Sequence, residues 1–149
     1  MRVLLINISR ATEVRIPQGL LFLASAVERD GHEVIIHDEA LAENFDKSML
    51  SILAYGADVV GLSLYSLAWH IERGEEISKR IKLASNSSKI VWGGWHSSLY
   101  PRECARNFYV DFVIRGPGER SFCELLRVIE SGGNFENVKS LTMETVDGV

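Results

Sequence analysis

Short apolar runs alternate along this chain with longer segments in which apolar residues recur at helical spacing. The runs cover residues 3–8, 33–37, 58–62, 90–92 and 111–114. Continuous runs with little polar alternation are typical of strands buried on both faces of a parallel sheet. We therefore predict five strands, each followed by a helical segment.

The helical segments have clear beginnings and ends. The first begins at Pro17, which suits an opening turn, and ends at Gly31, where a left-handed residue is favoured. Its apolar face consists of Leu20, Leu23, Ala24 and Val27. A second helix is predicted through Phe45, Met49, Ile52 and Leu53, and a third over residues 68–84, with Ile71, Ile77, Ile81 and Ala84 facing inward. A short helix should begin at Pro101. The last helix is predicted through Phe122, Leu125, Leu126 and Ile129 and ends at Gly132 and Gly133.

The regular β-α alternation predicts an α/β fold. We expect a five-stranded, doubly wound parallel sheet with helices on both faces. Residues 1–137 would form this domain, and residues 138–149 a tail that could add an edge strand over residues 139–144.

Length, composition and charge argue against several classes of function. A chain of 149 residues suits one domain, and a net charge of −4 without a basic stripe argues against a nucleic-acid partner. The apolar runs fall far short of the roughly 20 residues that cross a membrane. Cys104 and Cys123 do not suggest a disulfide scaffold, so we expect a cytoplasmic protein.

Glycines cluster where the fourth and fifth predicted strands end. Gly93 and Gly94 follow the fourth strand, and Gly116 and Gly118 follow the fifth. Glycine allows sharp turns and lets a ligand approach backbone N–H groups. Ligands of parallel α/β sheets bind at the carboxyl ends of the strands. These two strand ends therefore predict a site for a flat or phosphorylated ligand.

Polar residues follow the first three strands at the same edge. Ser9 follows the first strand and Asp38 ends the second. Asp38 could contact a ligand or cap a helix. Ser63, Tyr65 and Ser66 follow the third strand, and the two serines could bind a ligand or cap the next helix.

Three more candidates lie beside the glycines. Trp95 and His96 follow Gly94, and this histidine could bond a phosphate or ligate a metal. No Cys or His pair at ligand spacing accompanies His96, so we predict no metal site. Glu119 opens the last helix, where a carboxylate also suits the positive end of the helix dipole.

The sequence does not match the motifs of several well-known cofactor-binding and catalytic sites. The G-x-G-x-x-G fingerprint is absent after the first strand, and Ser121 replaces its third glycine after Gly116 and Gly118, which rejects a nicotinamide cofactor. Ser9 and Thr12 slightly favour a flavin. A P-loop, a nucleophile elbow and an acid/base pair are all missing, so the residues indicate a binding module without catalytic residues of its own.

Four motifs, in order, resemble the cobalamin-binding domains of radical S-adenosylmethionine (SAM) enzymes. The opening "P-x-G-L-x-x-L-A … G-H-x-V" is similar to residues 17–34, and the end of the third strand is similar to residues 61–63. The segment "G-G-x-H … P-E" is similar to residues 93–103, and "V-D-x-V-V-x-G-E-G-E" to residues 110–119, with Pro117 replacing the first glutamate.

The resemblance implies a flavodoxin-like sheet with strand order 2-1-3-4-5 and a bound cobalamin. Ser63, Gly93 and Gly94 would line the nucleotide tail, and the corrin ring would lie over the carboxyl edge. The mutase-type D-x-H-x-x-G loop is replaced by residues 7–12, which contain no histidine, so a cobalt ligand from this loop is not expected.

The resemblance also implies a larger parent enzyme. In this family a radical SAM domain with a [4Fe-4S] cluster follows the cobalamin domain, and the C-x-x-x-C-x-x-C motif of that domain is absent here. The parent would be a methyltransferase in which cobalt carries a methyl group from SAM to a substrate radical. The alternatives are a flavodoxin-like module for a nucleotide or flavin and a docking module that has lost its cofactor.

Overall fold

A six-stranded sheet forms the centre of the fold. The computed structural model describes residues 1–10, 12, 16–85 and 87–144. The strand order is β2-β1-β3-β4-β5-β6, in which the first five strands are parallel and β6 is antiparallel to β5. The strands are β1 (Arg2–Asn7), β2 (Glu33–Asp38), β3 (Val59–Ser63), β4 (Lys89–Gly93), β5 (Phe112–Ile114) and β6 (Leu141–Thr142).

The predicted order 2-1-3-4-5 is confirmed, but the predicted count of five strands is wrong. The sixth strand comes from the tail, where Leu141 pairs with Ile114 and Thr142 with Val113. Two residues are too few to produce a recognisable apolar pattern, so only the possibility of an edge strand was visible from the sequence. Residues 145–149 of the predicted tail lie outside the described residues.

Six α-helices lie within the described residues and connect the strands. They are α1 (Gln18–Arg29), α2 (Phe45–Tyr55), α3 (Ala68–Ala84), α4 (Gly94–Leu99), α5 (Pro101–Ala105) and α6 (Glu119–Ser131). Gly31 and Gly132 adopt φ values of 88° and 65° after α1 and α6, as the predicted helix ends require. Helix α4 was not predicted, because the pair Gly93 and Gly94 indicated a turn.

Alternating strand residues build a core on each face of the sheet. Val3 and Leu5 of β1 pack with α1 and α6 on one face. Leu4 and Ile6 pack with α2, α3 and α5 on the other. The strands therefore read as continuous apolar runs because both faces are covered, as expected for a parallel sheet.

The inward face predicted for α3 is only partly correct. Ile77 and Ile81 are fully buried, whereas Ile71 is half-buried and Ala84 is exposed. Ala84 is the last residue of the helix, and the neighbouring Leu83 is also 88% exposed. The helical spacing alone did not indicate where the helix leaves the sheet.

Candidate functional site

The carboxyl ends of four parallel strands meet at one level. Asn7, the last residue of β1, pairs in register with Asp38 of β2 and with Ser63 of β3. Ser63 pairs in turn with Gly93 of β4. Asn7 and Asp38, which are 31 positions apart in the sequence, therefore lie side by side, as do Ser63 and Gly93, which are 30 positions apart. The predicted strand-end residues share one edge of the sheet.

Gly94 lets α4 begin directly at the end of β4. Its φ is 88°, and a β-carbon on Gly94 would stand 2.7 Å from the Leu64 carbonyl oxygen and 2.8 Å from the Leu64 nitrogen. The His96 amide donates to the Leu64 carbonyl at 3.0 Å, and the Leu64 amide donates to the Gly93 carbonyl at 2.9 Å. Only glycine permits this approach, because any side chain would collide with backbone atoms.

Ser98 connects the two glycine segments. Its hydroxyl donates to the Gly94 carbonyl at 2.7 Å and accepts a hydrogen bond from the Gly116 amide at 2.8 Å. Gly116 itself has a φ of 68°. Sequence reasoning missed Ser98, because its role depends on a loop 18 residues away; the only signal was a hydroxyl four positions after Gly94.

A cleft of about 190 Å³ opens at this edge between α1 and α6, against the ends of β3, β4 and β5. Helix α1 contributes Gly19, Leu20 and Leu23 to its walls. The predicted site residues that line it are Ser63, Gly93, Gly94, Gly116, Gly118 and Glu119. The structure thus brings together half of the twelve candidates, and the glycine-rich segments form one wall.

Two side chains in this cleft have unused polar groups. Within the described residues, the Ser63 hydroxyl forms no hydrogen bond and the Glu119 carboxylate forms no ion pair, and both side chains are half-buried. The suggestion that Ser63 or Ser66 caps the next helix is wrong, since Leu67 occupies the N-cap of α3 and makes no side-chain cap bond. Ser63 therefore remains available to a ligand.

Ser9 and Asp38 lie outside this cleft and bond to each other. The Ser9 hydroxyl donates to Asp38 Oδ1 at 2.5 Å, and Asn7 Nδ2 donates to Asp38 Oδ2 at 3.0 Å. Asp38 also accepts from the Ala40 amide at 3.0 Å and caps a short 3₁₀ turn at Glu39–Leu41. The capping interpretation of Asp38 is confirmed, and its oxygens are occupied by the protein.

Tyr65, Ser66 and Trp95 are exposed at the rim of the same edge. Tyr65 is 53% exposed and Trp95 is 69% exposed, which is unusual for large aromatic side chains. Tyr65 lines a second depression together with Ser9 and His70. None of these three residues lines the cleft.

His96 follows Trp95 in α4 and is half-buried. Its Nδ1 atom is buried without a hydrogen-bond partner in the described structure, and its ring lies 5.3 Å from that of Tyr100. Burial lowers the pKa of the His96 imidazole, and the nearby Glu103 carboxylate opposes this shift. The neutral ring is therefore the favoured form near neutral pH.

His70 joins two of the loops at the edge. It is buried, its Nε2 atom lies 2.9 Å from the Ile8 carbonyl oxygen, and its Nδ1 atom accepts from the Tyr65 amide at 3.3 Å. Donation from Nε2 to the carbonyl and acceptance at Nδ1 define one neutral tautomer. His70 thereby holds the loops after β1 and β3 together, a role that the sequence did not reveal.

The described residues contain no group of three or more His, Cys, Asp or Glu side chains arranged to hold a metal ion. Nor does any helix in the described ranges have the length and apolar character to cross a membrane.

A doubly wound sheet with a glycine-rich cleft at its carboxyl edge defines this protein as a cofactor-binding α/β domain. The profile of the B12 binding domain family matches residues 5–126. The chain therefore belongs to the B12 binding domain family, and cobalamin is its cofactor.

Proteins similar to this chain include larger methyltransferases and radical SAM enzymes. An uncharacterized methyltransferase of Pyrococcus horikoshii is 32% identical over 132 residues, covering 85% of this chain and 27% of that protein. The radical SAM methyltransferase TsrM from Kitasatospora setae, solved with cobalamin and a [4Fe-4S] cluster, superposes with a TM-score of 0.83 at 24% identity, covering 99% of this chain and 28% of that one.

The cobalamin-dependent SAM radical enzyme OxsB, solved with aqua-cobalamin and SAM, also has a TM-score of 0.83, at 17% identity. The match covers 99% of this chain and 21% of OxsB. The chain spans about a quarter of the length of these relatives, and the two solved structures share its fold.

Proposed function

We propose that this chain holds the nucleotide tail of cobalamin in the cleft between α1 and α6 and serves as the cobalamin module of a radical SAM methyltransferase. The observation that carries the proposal is the cleft itself. It opens at the carboxyl edge, has glycines at its mouth and contains a hydroxyl, on Ser63, without a partner in the described structure.

The residues of the cleft fit such a ligand. Gly19 and Gly116 have no atom within 4 Å of the position of a β-carbon, so the backbone leaves open space at the mouth. The Ser63 hydroxyl can hydrogen-bond a polar group of the tail, and apolar walls behind it can bury an aromatic base. This combination of apolar walls and few polar groups is usual for cofactor sites.

The exposed rim suits the flat ring of the same cofactor. Tyr65 and Trp95 present large exposed apolar surfaces, and they lie close in sequence to Ser63 and Gly94, which line the cleft. Ser66 follows Tyr65. Covering these side chains with a corrin ring would remove apolar area from water, which is favourable. His96, which follows Trp95 in α4, is a neutral ring able to donate or accept a hydrogen bond.

The protein's contribution is to bind and orient the cofactor and to exclude water from it. Bound cobalamin would supply the cobalt chemistry of methyl transfer. Residues 7–12 contain no histidine, so we propose a cobalt without a histidine ligand from this loop.

The parent activity is proposed from the relatives. The names of the similar proteins include methyltransferases and cobalamin-dependent radical SAM enzymes, and one solved relative holds a [4Fe-4S] cluster. We infer that SAM and the cluster belong to a radical SAM domain that works with this chain. A reducing cytoplasm suits Cys104 and Cys123, which are both buried and free, and burial raises the pKa of the Cys104 thiol to about 11.

A flavin is less well supported. Of the two hydroxyls that favoured it, that of Ser9 already donates to Asp38 and accepts from the Ala40 amide. To donate to a flavin phosphate, the Ser9 hydroxyl would have to give up its hydrogen bond to Asp38.

Gel filtration after incubation with hydroxocobalamin tests the proposal. We expect red colour to coelute with the protein at about one equivalent, and parallel incubation with flavin mononucleotide to leave the protein colourless. Coelution of flavin and not of cobalamin would contradict it.

A further inference from the structure

The inner wall of the cleft is apolar. Leu20 and Leu23 line it from α1, Phe122 from α6, and Val91 and Ile114 from the sheet. All except Leu23 are buried in the core of this face, and Leu23 is partly buried against the same core. A group inserted into the cleft would therefore meet hydrocarbon on several sides.

Polar side chains are scarce around this space. Of the described residues that line the cleft, only Ser63 and Glu119 carry polar side chains. Glu119 also borders an outer groove with Arg29 and Arg120, so it lies at the mouth. Ser63 ends β3 at the carboxyl edge, also at the mouth. The inner wall has no side chain that can satisfy a polar ring.

Gly61 fixes the depth of the cleft. A β-carbon there would stand 2.9 Å from Leu5 Cδ2 and 3.3 Å from Phe122 Cε2. The absence of a side chain therefore lets the Phe122 ring pack directly against the sheet, where it forms part of the wall. This aromatic wall favours contact with another flat apolar ring.

We propose that the cleft selects cobamides by their lower base, accepting an apolar benzimidazole and discriminating against a purine. This inference rests on the proposed function. The methyl groups of dimethylbenzimidazole gain from burial against Leu20, Leu23 and Phe122. An adenine base would bring an amino group and several ring nitrogens against an inner wall whose side chains offer them no partners, and buried polar groups without hydrogen bonds are costly.

The experiment compares three corrinoids on the purified chain: hydroxocobalamin, the corresponding cobamide with adenine as its lower base, and cobinamide, which has no base. Dissociation constants are measured by quenching of tryptophan fluorescence, without any assay of activity. We expect hydroxocobalamin to bind at least about tenfold more tightly than each of the other two.

The outcomes separate this inference from the function on which it rests. Equal affinity for the benzimidazole and adenine forms would overturn the selectivity and leave cobalamin binding intact. Equal affinity for cobinamide would show that the tail makes no use of the cleft. Binding of none of the three would overturn the proposed function together with the inference.

Leu23 offers a matched pair of variants. Leu23→Asn adds an amide to the wall at a partly buried position, and we expect it to reduce the preference for benzimidazole to less than about threefold. Leu21→Asn makes the same change on α1 at a residue that is 48% exposed and does not line the cleft. It should keep the wild-type preference. An unchanged preference in Leu23→Asn, with its helical circular dichroism intact, would contradict the role assigned to the wall.

Discussion

Ser98 accepts a hydrogen bond from the Gly116 amide at 2.8 Å while donating to the Gly94 carbonyl at 2.7 Å. One hydroxyl thus couples the start of α4, directly after β4, to the loop that follows β5. Both segments line the cleft, so the shape of its mouth depends on this hydroxyl.

Replacing Ser98 should therefore weaken cofactor binding. Ser98→Ala removes both hydrogen bonds, and we expect a loss of about 1 kcal/mol in the free energy of unfolding and a three- to tenfold lower cobalamin affinity. Ser51→Ala is the matched control, because Ser51 also donates to the carbonyl four residues earlier, in α2 and away from the cleft. Equal cobalamin affinities in the two variants would contradict the role of Ser98.

Substitution of Gly94 should damage the fold. In Gly94→Ala the new methyl group meets the Leu64 backbone at 2.7 Å, in addition to the cost of about 1–2 kcal/mol for a left-handed alanine. We expect urea unfolding to show a loss of more than about 2 kcal/mol. Gly132→Ala is the control, since Gly132 has a φ of 65° and open space around it. If both variants lost the same stability, the close approach to Leu64 would carry no energetic weight.

Substitution of Gly93, unlike that of Gly94, should leave the fold stable and affect cofactor binding. Its φ is −140°, which any residue adopts, and a β-carbon would lie 3.8 Å from the nearest atom, the Ile114 carbonyl oxygen. Gly93→Leu should therefore fold with a thermal midpoint near that of the wild type, while its side chain fills the cleft and lowers cobalamin affinity at least about tenfold. A stable Gly93→Leu protein that binds cobalamin normally would argue against this cleft as the site.

Two histidines should make stability depend on pH. Burial lowers the pKa of His37 and of His96 below the ordinary value of about 6.5. The unfolded chain then takes up protons more readily than the folded protein, so stability is lost as the pH falls below about 6.5. Urea unfolding at pH 7.5 and 5.5 should show this loss, and it should be smaller in His37→Gln and His96→Gln. An identical loss in the double variant would assign it to other groups.

The sequence predicted the scaffold of the site better than its contacts. Residues 68–84 were predicted as a helix with the bounds that α3 has, because long apolar periodicity is a strong local signal. The glycines were placed correctly at the ends of β4 and β5, because the strand runs before them are short and continuous.

Long-range contacts could not be predicted from local patterns. Ser9 and Asp38 were proposed as separate ligand contacts, yet they bond to each other across 29 residues. Ser98 and His70 connect loops that are distant in sequence, and neither residue belongs to a motif. The start of α4 at Gly94 depends on the approach to Leu64, which a pattern of residue types does not contain.

The most direct test of the account is the visible absorption spectrum of hydroxocobalamin bound to the purified chain at neutral pH. If the tail occupies the cleft, its base is withdrawn from cobalt, and the bound cofactor should show the spectrum of the base-off form at about one equivalent. A base-on spectrum of the retained cofactor, or no retained cofactor at all, would contradict the claim that the cleft between α1 and α6 holds the tail.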